Sequence, residues 1–541
     1  MLLKNISLFG FALPSALGSR CTSAPSEPEY RNNEPINDAN LEYISTSRDA
    51  NVGGGAILYR AGVGTGSFNL LHVYGTSYQM GYHHGRILKD EVVNLLETLM
   101  NMIYDEAYSY ACQTKLFANR CILRPGFVKN VMEFGVNGVF DMTFAATEPW
   151  TYQWHSDEMQ GLADGSGVTL DLVKRIHMIG EVTKAQCSLF GIWDEALQDG
   201  SGLLQLRALD WTTDDIFVNN PQVTIYHPTY TQEYEGFGKL RQNQFANVGF
   251  PGWIGLMTGM NDQKMGISEI GASTAGDSPD FPGESRTGQA FTWTLRDMLQ
   301  FDMTGDAAVS RLENTERTCN LILGMGDGKN ESQSMYGLAS DNAKLTVMTD
   351  KNMLPQTYDG SENNGDFSST EHERIDKAVY WGMDWYCTGY HKVLGDRIRE
   401  NYGNINAEVA IRDIVAATNT GNLHIAIYDF NRNDMYVSFH RQSKYNETDA
   451  ESPKDAWKRS YTRLDMDEMF GELLDGCICG CENGSCEEGL DLDTGCYREY
   501  LPFGHCVACD EGYEMIDGLC NGSGLVKFAL GTVVLGLFNL F

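Results

Sequence analysis

Residues 187–211 read CSLFGIWDEALQDGSGLLQLRALDW, and this stretch decides the fold prediction. Two apolar runs flank the turn-forming segment Gln198-Asp-Gly-Ser-Gly202, a pattern that predicts a β-hairpin. The returning strand would bring Arg207 and Asp210 alongside the start of the first strand, next to Cys187. An arginine beside a thiol favours the thiolate, and a carboxylate beside an α-amine orients it and stabilises its charge. A lone cysteine could instead pack inertly or form half of a disulfide, so its two charged neighbours make it a candidate nucleophile.

Helical and strand-like patterns lie on either side of this hairpin. Upstream, residues 88–99 repeat leucine and valine at helical spacing, and further helical stretches run through 126–180. Downstream, short β-branched or aromatic segments alternate with turn residues before a helical block at 291–323. Residues 423–440 predict a second hairpin, turning at Asn431-Arg-Asn-Asp434. Blocks of strands and helices in this order predict an α+β layered fold.

Composition and missing motifs argue against several functional classes. The chain has 40 Lys plus Arg against 73 Asp plus Glu, a net charge of -33, with no basic cluster that would attract nucleic acid. It contains no Walker loop, dinucleotide fingerprint or His-Glu-x-x-His motif, so we expect no cofactor and no metal. His83 and His84 point in different directions on a helix, so we interpret them as structural.

The N-terminus predicts a secreted protein. Residues 1–18 combine one Lys, a short apolar stretch and small residues, as in a signal peptide, although a short buried strand is the alternative. Residues 19–54 are rich in Ser, Pro, Glu and Asn and predict a flexible N-terminal arm. Asn330, Asn446 and Asn483 begin glycosylation acceptor motifs, which matter only in the secretory route.

The C-terminus predicts a cysteine-rich module followed by a lipid anchor. Residues 475–520 contain eight of the 14 cysteines, a density that predicts a disulfide-held module similar to EGF-like repeats, although its spacing departs from theirs. A zinc site at Cys506-Val-Ala-Cys509 is the alternative. Residues 521–541 resemble a GPI-anchor signal with almost no polar spacer, and a short transmembrane span is the alternative. We therefore expect a protein of the cell surface, the extracellular space or the lysosome.

Three stretches together carry a family resemblance. The hairpin at 187–211, the segment YGTSYQMGYHHGR at 74–86 and the segment FPGWIGLMTGMND at 250–262 resemble the N-terminal nucleophile (Ntn) cysteine hydrolases. That family includes isopenicillin N acyltransferase, acid ceramidase, N-acylethanolamine acid amidase and choloylglycine hydrolase. The resemblance spans roughly residues 70–445. It implies a four-layer αββα sandwich, with a helical N-terminal region at 55–186 and a nucleophile-bearing region at 187–465.

The resemblance also implies a self-processing mechanism. The chain would cut its own Gln186-Cys187 bond, and the freed α-amine, with a pKa near 8, would serve as general base for the thiol. Arg207 would stabilise the thiolate and Asp210 would hold the amine.

The remaining site residues follow from the order of the family motifs. The resemblance implies an oxyanion asparagine at Asn363 or Asn364, with Asn364 favoured because the following glycine allows a tight turn. The alternative is a polar surface loop. It further implies substrate binding by Arg374 and Asn261.

Three functions remain open on the sequence. The first is hydrolysis of N-acyl amides, including lipid amides that a membrane anchor would bring close. The second is acyl transfer to an amine through the same acyl-enzyme. The third is a catalytically inactive surface protein that binds partners through its cysteine-rich module.

Overall fold

A computed structural model describes most of the chain from residue 25 to residue 474. The described residues are 25–113, 125–183, 186–271, 285, 287–330, 332–340, 342, 344–352, 373–382, 388–444 and 454–474, with short strands at 484–485, 508–509, 513–516 and 519–522. The predicted signal peptide, Asn363, Asn364, Asn446, Asn483 and the predicted anchor beyond residue 522 lie outside these residues. No side chain of the predicted cysteine-rich module is described.

Among the described residues, seven strands form one sheet around the predicted hairpin. Its neighbours are antiparallel except for the parallel pair at one edge. In order across the sheet they are β1 (Asn37–Asp38), β19 (Thr462–Asp465), β18 (Asp434–Phe439), β17 (His424–Asp429), β6 (Leu203–Asp210), β5 (Gln186–Trp193) and β16 (Ala378–Trp381).

Ten further strands in the described part of the chain form a second sheet. In order they are β15 (Leu345–Met348), β14 (Met335–Ser340), β13 (Leu321–Asp327), β12 (Met265–Gly271), β11 (Thr258–Asn261), β10 (Phe245–Gly249), β7 (Gln222–Pro228), β4 (Phe68–Gly75), β3 (Gly55–Ala61) and β2 (Glu42–Ser47). Smaller pairs are β8 (Thr231–Tyr234) with β9 (Gly238–Arg241), β20 (Gly484–Ser485) with β21 (Ala508–Cys509), and β22 (Tyr513–Ile516) with β23 (Leu519–Gly522).

Helices cover the outer faces of the two large sheets. They are α1 (Ser77–Ile87), α2 (Lys89–Gln113), α3 (Pro125–Thr147), α4 (Gln153–Ser166), α5 (Leu170–His177), α6 (Ile179–Val182), α7 (Asp215–Val218), α8 (Phe291–Phe301), α9 (Gly305–Asn314), α10 (Thr388–Asn401), α11 (Ala407–Val409), α12 (Ala416–Thr418) and α13 (Met466–Gly471). A π-helical turn, Ala410–Val415, joins α11 to α12. No described helix combines the length and apolar character needed to span a bilayer.

Side-chain alternation along the strands produces the layers. Even-numbered residues of β5 and β6, such as Phe190 and Leu206, pack in one apolar cluster with Leu394 of α10 and Ile414 of the π-helical turn. Odd-numbered residues of the same strands turn the other way, where β5 and β6 contact β12 of the second sheet. Helices α1, α8 and α9 contact the second sheet. The predicted α+β class is confirmed, and the predicted hairpins pair as β5 with β6 and β17 with β18.

Helices α1 and α4 cross with their backbones in contact. A Cβ at Gly81 would collide with the carbonyl oxygen of Glu158, and one at Gly161 with the carbonyl oxygen of Tyr78. One turn further along, a Cβ at Gly85 or Gly165 would likewise collide with the backbone of the facing helix. The spacing of four residues places both glycines of each helix on one face. This crossing explains why glycines recur in the segment at 74–86.

Residues 37–47 differ from the expected flexible arm. Strand β1 pairs in parallel with β19, and β2 pairs antiparallel with β3 at the edge of the second sheet. Most of β2 is exposed on the surface. The polar composition of residues 37–47 did not predict strands. Pairing at a sheet edge uses backbone groups that every residue type carries, so composition does not indicate it.

Candidate active site

Cys187 lies near the start of β5 and carries a free thiol. It is 0% exposed and pairs across the hairpin with Leu209. Burial raises the pKa of the thiol, and this effect outweighs the nearby Arg207 guanidinium and the Asp210 backbone N–H, which both lower it. The thiol of the intact chain is therefore protonated, whereas the sequence led us to expect that Arg207 would favour a thiolate.

A buried acid opposes the effect of Arg207 on the thiol. Arg207 donates from Nη2 to a carboxylate oxygen of Glu269 on β12, 3.1 Å away, and both side chains are almost completely buried. The Glu269 charge raises the pKa of the Cys187 thiol and so opposes the arginine. The Nε and Nη1 atoms of Arg207 have no hydrogen-bond partner among the described residues. Two donors of a buried guanidinium are thus available on the thiol side of the sheet.

Asp210 turns to the opposite face of the sheet from the thiol. It pairs with Gln186, the residue before the nucleophile, so the hairpin register puts its carboxylate on the helix-covered face. The carboxylate accepts hydrogen bonds from Thr420 Oγ1 at 2.7 Å and from the backbone N–H groups of Gly421 and Asn422 at 2.9 and 3.0 Å. Burial raises the pKa of Asp210, and these three donors oppose that rise.

The register therefore separates the two charged partners. Arg207 and the Cys187 thiol share the inner face, because Arg207 is two residues from the thiol's cross-strand neighbour Leu209. Asp210 lies beside the main chain at the Gln186-Cys187 junction. The arginine can act on charge that develops near sulfur, and the carboxylate can act on the main-chain nitrogen of Cys187.

His424 is a neighbour of this site that the sequence did not single out. It pairs with Leu209, so His424, Leu209 and Cys187 form one row across β17, β6 and β5. Its Nε2 lies 3.2 Å from Thr258 Oγ1 on the second sheet. Burial, helped by the charge of Arg207, lowers the pKa of His424 well below its usual value, so the ring is neutral. The signal that the sequence offered for this residue was a histidine at the start of an apolar strand.

The two residues predicted to bind substrate, Asn261 and Arg374, each have polar partners within the fold. Asn261 is fully buried and closes the turn between β11 and β12, accepting from the backbone N–H groups of Gln263 and Met265 at 3.0 Å each. Its amide nitrogen donates to the Leu299 carbonyl at 2.9 Å, so both ends of the side chain are used in the fold. Arg374 is exposed and pairs with Asp376 at 3.0 Å.

Residues 250–257, the first part of the segment at 250–262, form a loop near the site. Two buried histidines accept hydrogen bonds from its backbone. Gly252 N–H donates to Nε2 of His84, and Ile254 N–H donates to Nε2 of His177, each at 3.0 Å. Phe250 of this loop packs near the ring of His424. Burial lowers the pKa of His84 to about 3 and of His177 to about 4, which keeps both rings neutral and able to accept.

Comparison with known proteins gives close relatives in one organism. Protein dcd1B of Dictyostelium discoideum is 32% identical over 419 residues, which cover 77% of this chain and 77% of the relative. Protein dcd1A of the same organism is 30% identical over 425 residues, covering 77% of this chain and 88% of the relative. The chain belongs to the dcd1 family. No protein-family model matches it.

Solved structures resemble this dcd1-family chain more distantly. A penicillin V acylase from Agrobacterium tumefaciens is 14% identical, covering 47% of this chain and 83% of that one, with a TM-score of 0.30. An N-acylethanolamine-hydrolyzing acid amidase ortholog from Caenorhabditis elegans is 12% identical, covering 51% and 100%, also at 0.30. A conjugated bile acid hydrolase from Clostridium perfringens is 10% identical, covering 52% and 93%, at 0.32.

One predicted glycosylation residue of the dcd1-family chain lies within the described residues. Asn330 is half-buried in the turn after β13, and its side-chain oxygen accepts from the backbone N–H and the hydroxyl of Ser332. Its glycosylation stays a prediction.

Proposed function

We propose that this dcd1-family chain is a self-processing cysteine amidase of the Ntn type. One observation carries the proposal: Cys187 is a free thiol at the start of a strand, with Arg207 on its own side of the sheet and Asp210 beside the preceding peptide bond. Sequence resemblance supports the same assignment. In this proposal the two stacked sheets and their outer helices are the αββα sandwich of that class.

The first step would be cleavage of the chain before Cys187. The Cys187 sulfur attacks the carbonyl carbon of Gln186, its proton passes to the departing nitrogen, and a thioester joins residue 186 to the side chain. Water then hydrolyses the thioester and leaves a new carboxylate and a free α-amine. That amine has a pKa near 8, which suits a general base near neutral pH.

The same residue would then act on an amide substrate. The α-amine of Cys187 takes the thiol proton while sulfur attacks the acyl carbonyl, and the proton moves on to the leaving amine as the C–N bond breaks. Water hydrolyses the acyl thioester in the second half of the reaction. Arg207 stabilises negative charge near sulfur, and Asp210 orients the amine. We retain Asn363 or Asn364 as the proposed oxyanion donor and Arg374 as a proposed substrate contact.

The proposed substrates are linear N-acyl amides, including lipid amides. Apolar side chains lie around the thiol on the inner face of the sheet, with Leu189 and Leu209 on either side of it. An amine acceptor in place of water would turn hydrolysis into acyl transfer without changing the acyl-enzyme.

We propose a secretory location for the chain, with a lipid anchor at the cell surface. The disulfide-bonded state of Cys112 supports an oxidising compartment. The predicted signal peptide, glycosylation residues and anchor signal support the same route.

Activity on a panel of N-acyl amides tests the proposed function. The purified chain would be compared with Cys187→Ala and with Cys319→Ala, which removes a second buried thiol. We expect release of free acid by wild type and Cys319→Ala, and no release by Cys187→Ala. Added hydroxylamine should divert the acyl group to a hydroxamate if an acyl-enzyme forms. Equal activity of Cys187→Ala and wild type would contradict the proposal.

A further inference from the structure

The Asp210 carboxylate accepts a hydrogen bond from a buried hydroxyl on a different segment of the chain. We infer that Thr420 is a positioning residue that fixes this carboxylate beside the amine of Cys187. The inference rests on the proposed function, since it assigns Thr420 a role in orienting the general base. Thr420 lies outside the motifs from which the sequence assignment was made.

The distances define a chain of hydrogen bonds. Thr420 Oγ1 lies 2.7 Å from Asp210 Oδ2 and 2.7 Å from Ser188 Oγ, and both hydroxyl residues are 0% exposed. A threonine hydroxyl has one hydrogen to donate. The Thr420 hydroxyl is the donor towards both oxygens, so Asp210 and Ser188 are alternative acceptors of its one hydrogen. The charged carboxylate is the stronger acceptor, so the hydroxyl serves Asp210.

Backbone geometry fixes where Thr420 points. Helix α12 ends at Thr418, its C-cap Asn419 is left-handed at φ 50°, and Gly421 has φ 87°. A Cβ at Gly421 would collide with the side chain of Ile425, so this tight turn requires glycine. The turn presents the Thr420 hydroxyl and the N–H groups of residues 421 and 422 to the same carboxylate.

The charged and titratable groups around Asp210 come from three elements. Arg207 lies on its own strand, Cys187 on β5, and Tyr390 on α10. Burial is the largest influence on the pKa of Asp210 and raises it, while Thr420 is the largest opposing one. Removing the Thr420 hydroxyl therefore raises the pKa of Asp210 further and favours the neutral acid, which holds an amine less well.

The test compares four variants of the full-length protein. Thr420→Val removes the hydroxyl at nearly constant volume, and Thr420→Ser restores it. Ser188→Ala removes the other acceptor of the Thr420 hydroxyl. Thr418→Val is the matched control, because Thr418 is also fully buried but donates to the Ile414 carbonyl instead of to Asp210. The measurement is the pH dependence of kcat/KM for amide hydrolysis.

Loss of the hydrogen bond to the charged Asp210 should lower kcat/KM of Thr420→Val by roughly tenfold or more and displace its acid limb from the wild-type position. Thr420→Ser should restore both. Ser188→Ala and Thr418→Val should leave both unchanged, because the Thr420–Asp210 hydrogen bond remains.

Other results would overturn the inference. An unmoved acid limb in Thr420→Val, or an equal shift in Thr418→Val, would reduce Thr420 to a structural residue. If Thr420→Val does not fold, Thr420→Ala is measured in its place, and an unmoved limb there overturns the inference. If activity depends on Cys187 and the Thr420 variants give one of these results, only this inference is rejected. If activity does not depend on Cys187, the proposed function itself is rejected.

Discussion

The Arg207 guanidinium donates a hydrogen bond to the Glu269 carboxylate, 3.1 Å across the interface between the two sheets. Each of these groups would be costly to bury alone, so each keeps the other charged inside the fold. The pair also sets the state of the nucleophile, because Arg207 lowers and Glu269 raises the pKa of the Cys187 thiol.

Neutralising Glu269 should make Cys187 more reactive. In Glu269→Gln the guanidinium charge near the thiol is no longer opposed, so the pKa of Cys187 falls and its alkylation at pH 8 should accelerate by about tenfold for each unit of that fall. Mass spectrometry of the iodoacetamide-labelled Cys187 peptide measures the rate. Glu158→Gln is the control, because it breaks a different buried pair, with Arg296, and we expect no such acceleration. Unchanged alkylation in Glu269→Gln would show that the carboxylate does not govern the thiol.

Alanine at Gly161 should destabilise the protein strongly. Its Cβ would meet the Tyr78 carbonyl oxygen, which is backbone and cannot swing away, so helices α1 and α4 must separate. We expect a loss of about 3 kcal/mol or more in the free energy of unfolding. Gly138→Ala in α3 is the matched control, because a Cβ there meets no atom. It should raise stability by up to about 1 kcal/mol. Similar urea midpoints for the two variants would contradict the close crossing.

His177 should make stability fall in acid. Its pKa is lowered to about 4 in the folded protein, while the unfolded chain titrates near 6.5. Between these values only the unfolded chain binds the proton, so the stabilisation is complete above pH 6.5 and is lost as the pH falls towards 4.

The variant His177→Asn separates this effect from other titrations. It should be less stable than wild type at pH 7, and the deficit should shrink by on the order of 2 kcal/mol at pH 4.5. Thermal unfolding at both pH values measures it. His440→Asn, at a residue that is only partly buried, should show a far smaller change. A His177→Asn deficit that is independent of pH would mean that the ring is not held neutral.

Local pairing explains which parts of the site the sequence could predict. Cys187, Arg207 and Asp210 belong to two strands joined by one short turn, so alternation and register follow from adjacent residues. Glu269 and His424 reach the same place only through the stacking of the sheets and the pairing of β6 with β17. No local pattern encodes those contacts. The hydrogen bonds of Asn261 to Leu299 and Gln263 likewise depend on tertiary contacts and a turn that its motif does not show.

The most direct test of the central claim is the N-terminal sequence of the fragments seen on a reducing gel of the purified protein. We predict two chains, the second beginning Cys187-Ser188-Leu189-Phe190, with the same result for Cys319→Ala and an intact chain for Cys187→Ala. An intact wild-type chain, a fragment that begins elsewhere, or normal cleavage of Cys187→Ala would contradict self-processing at this thiol.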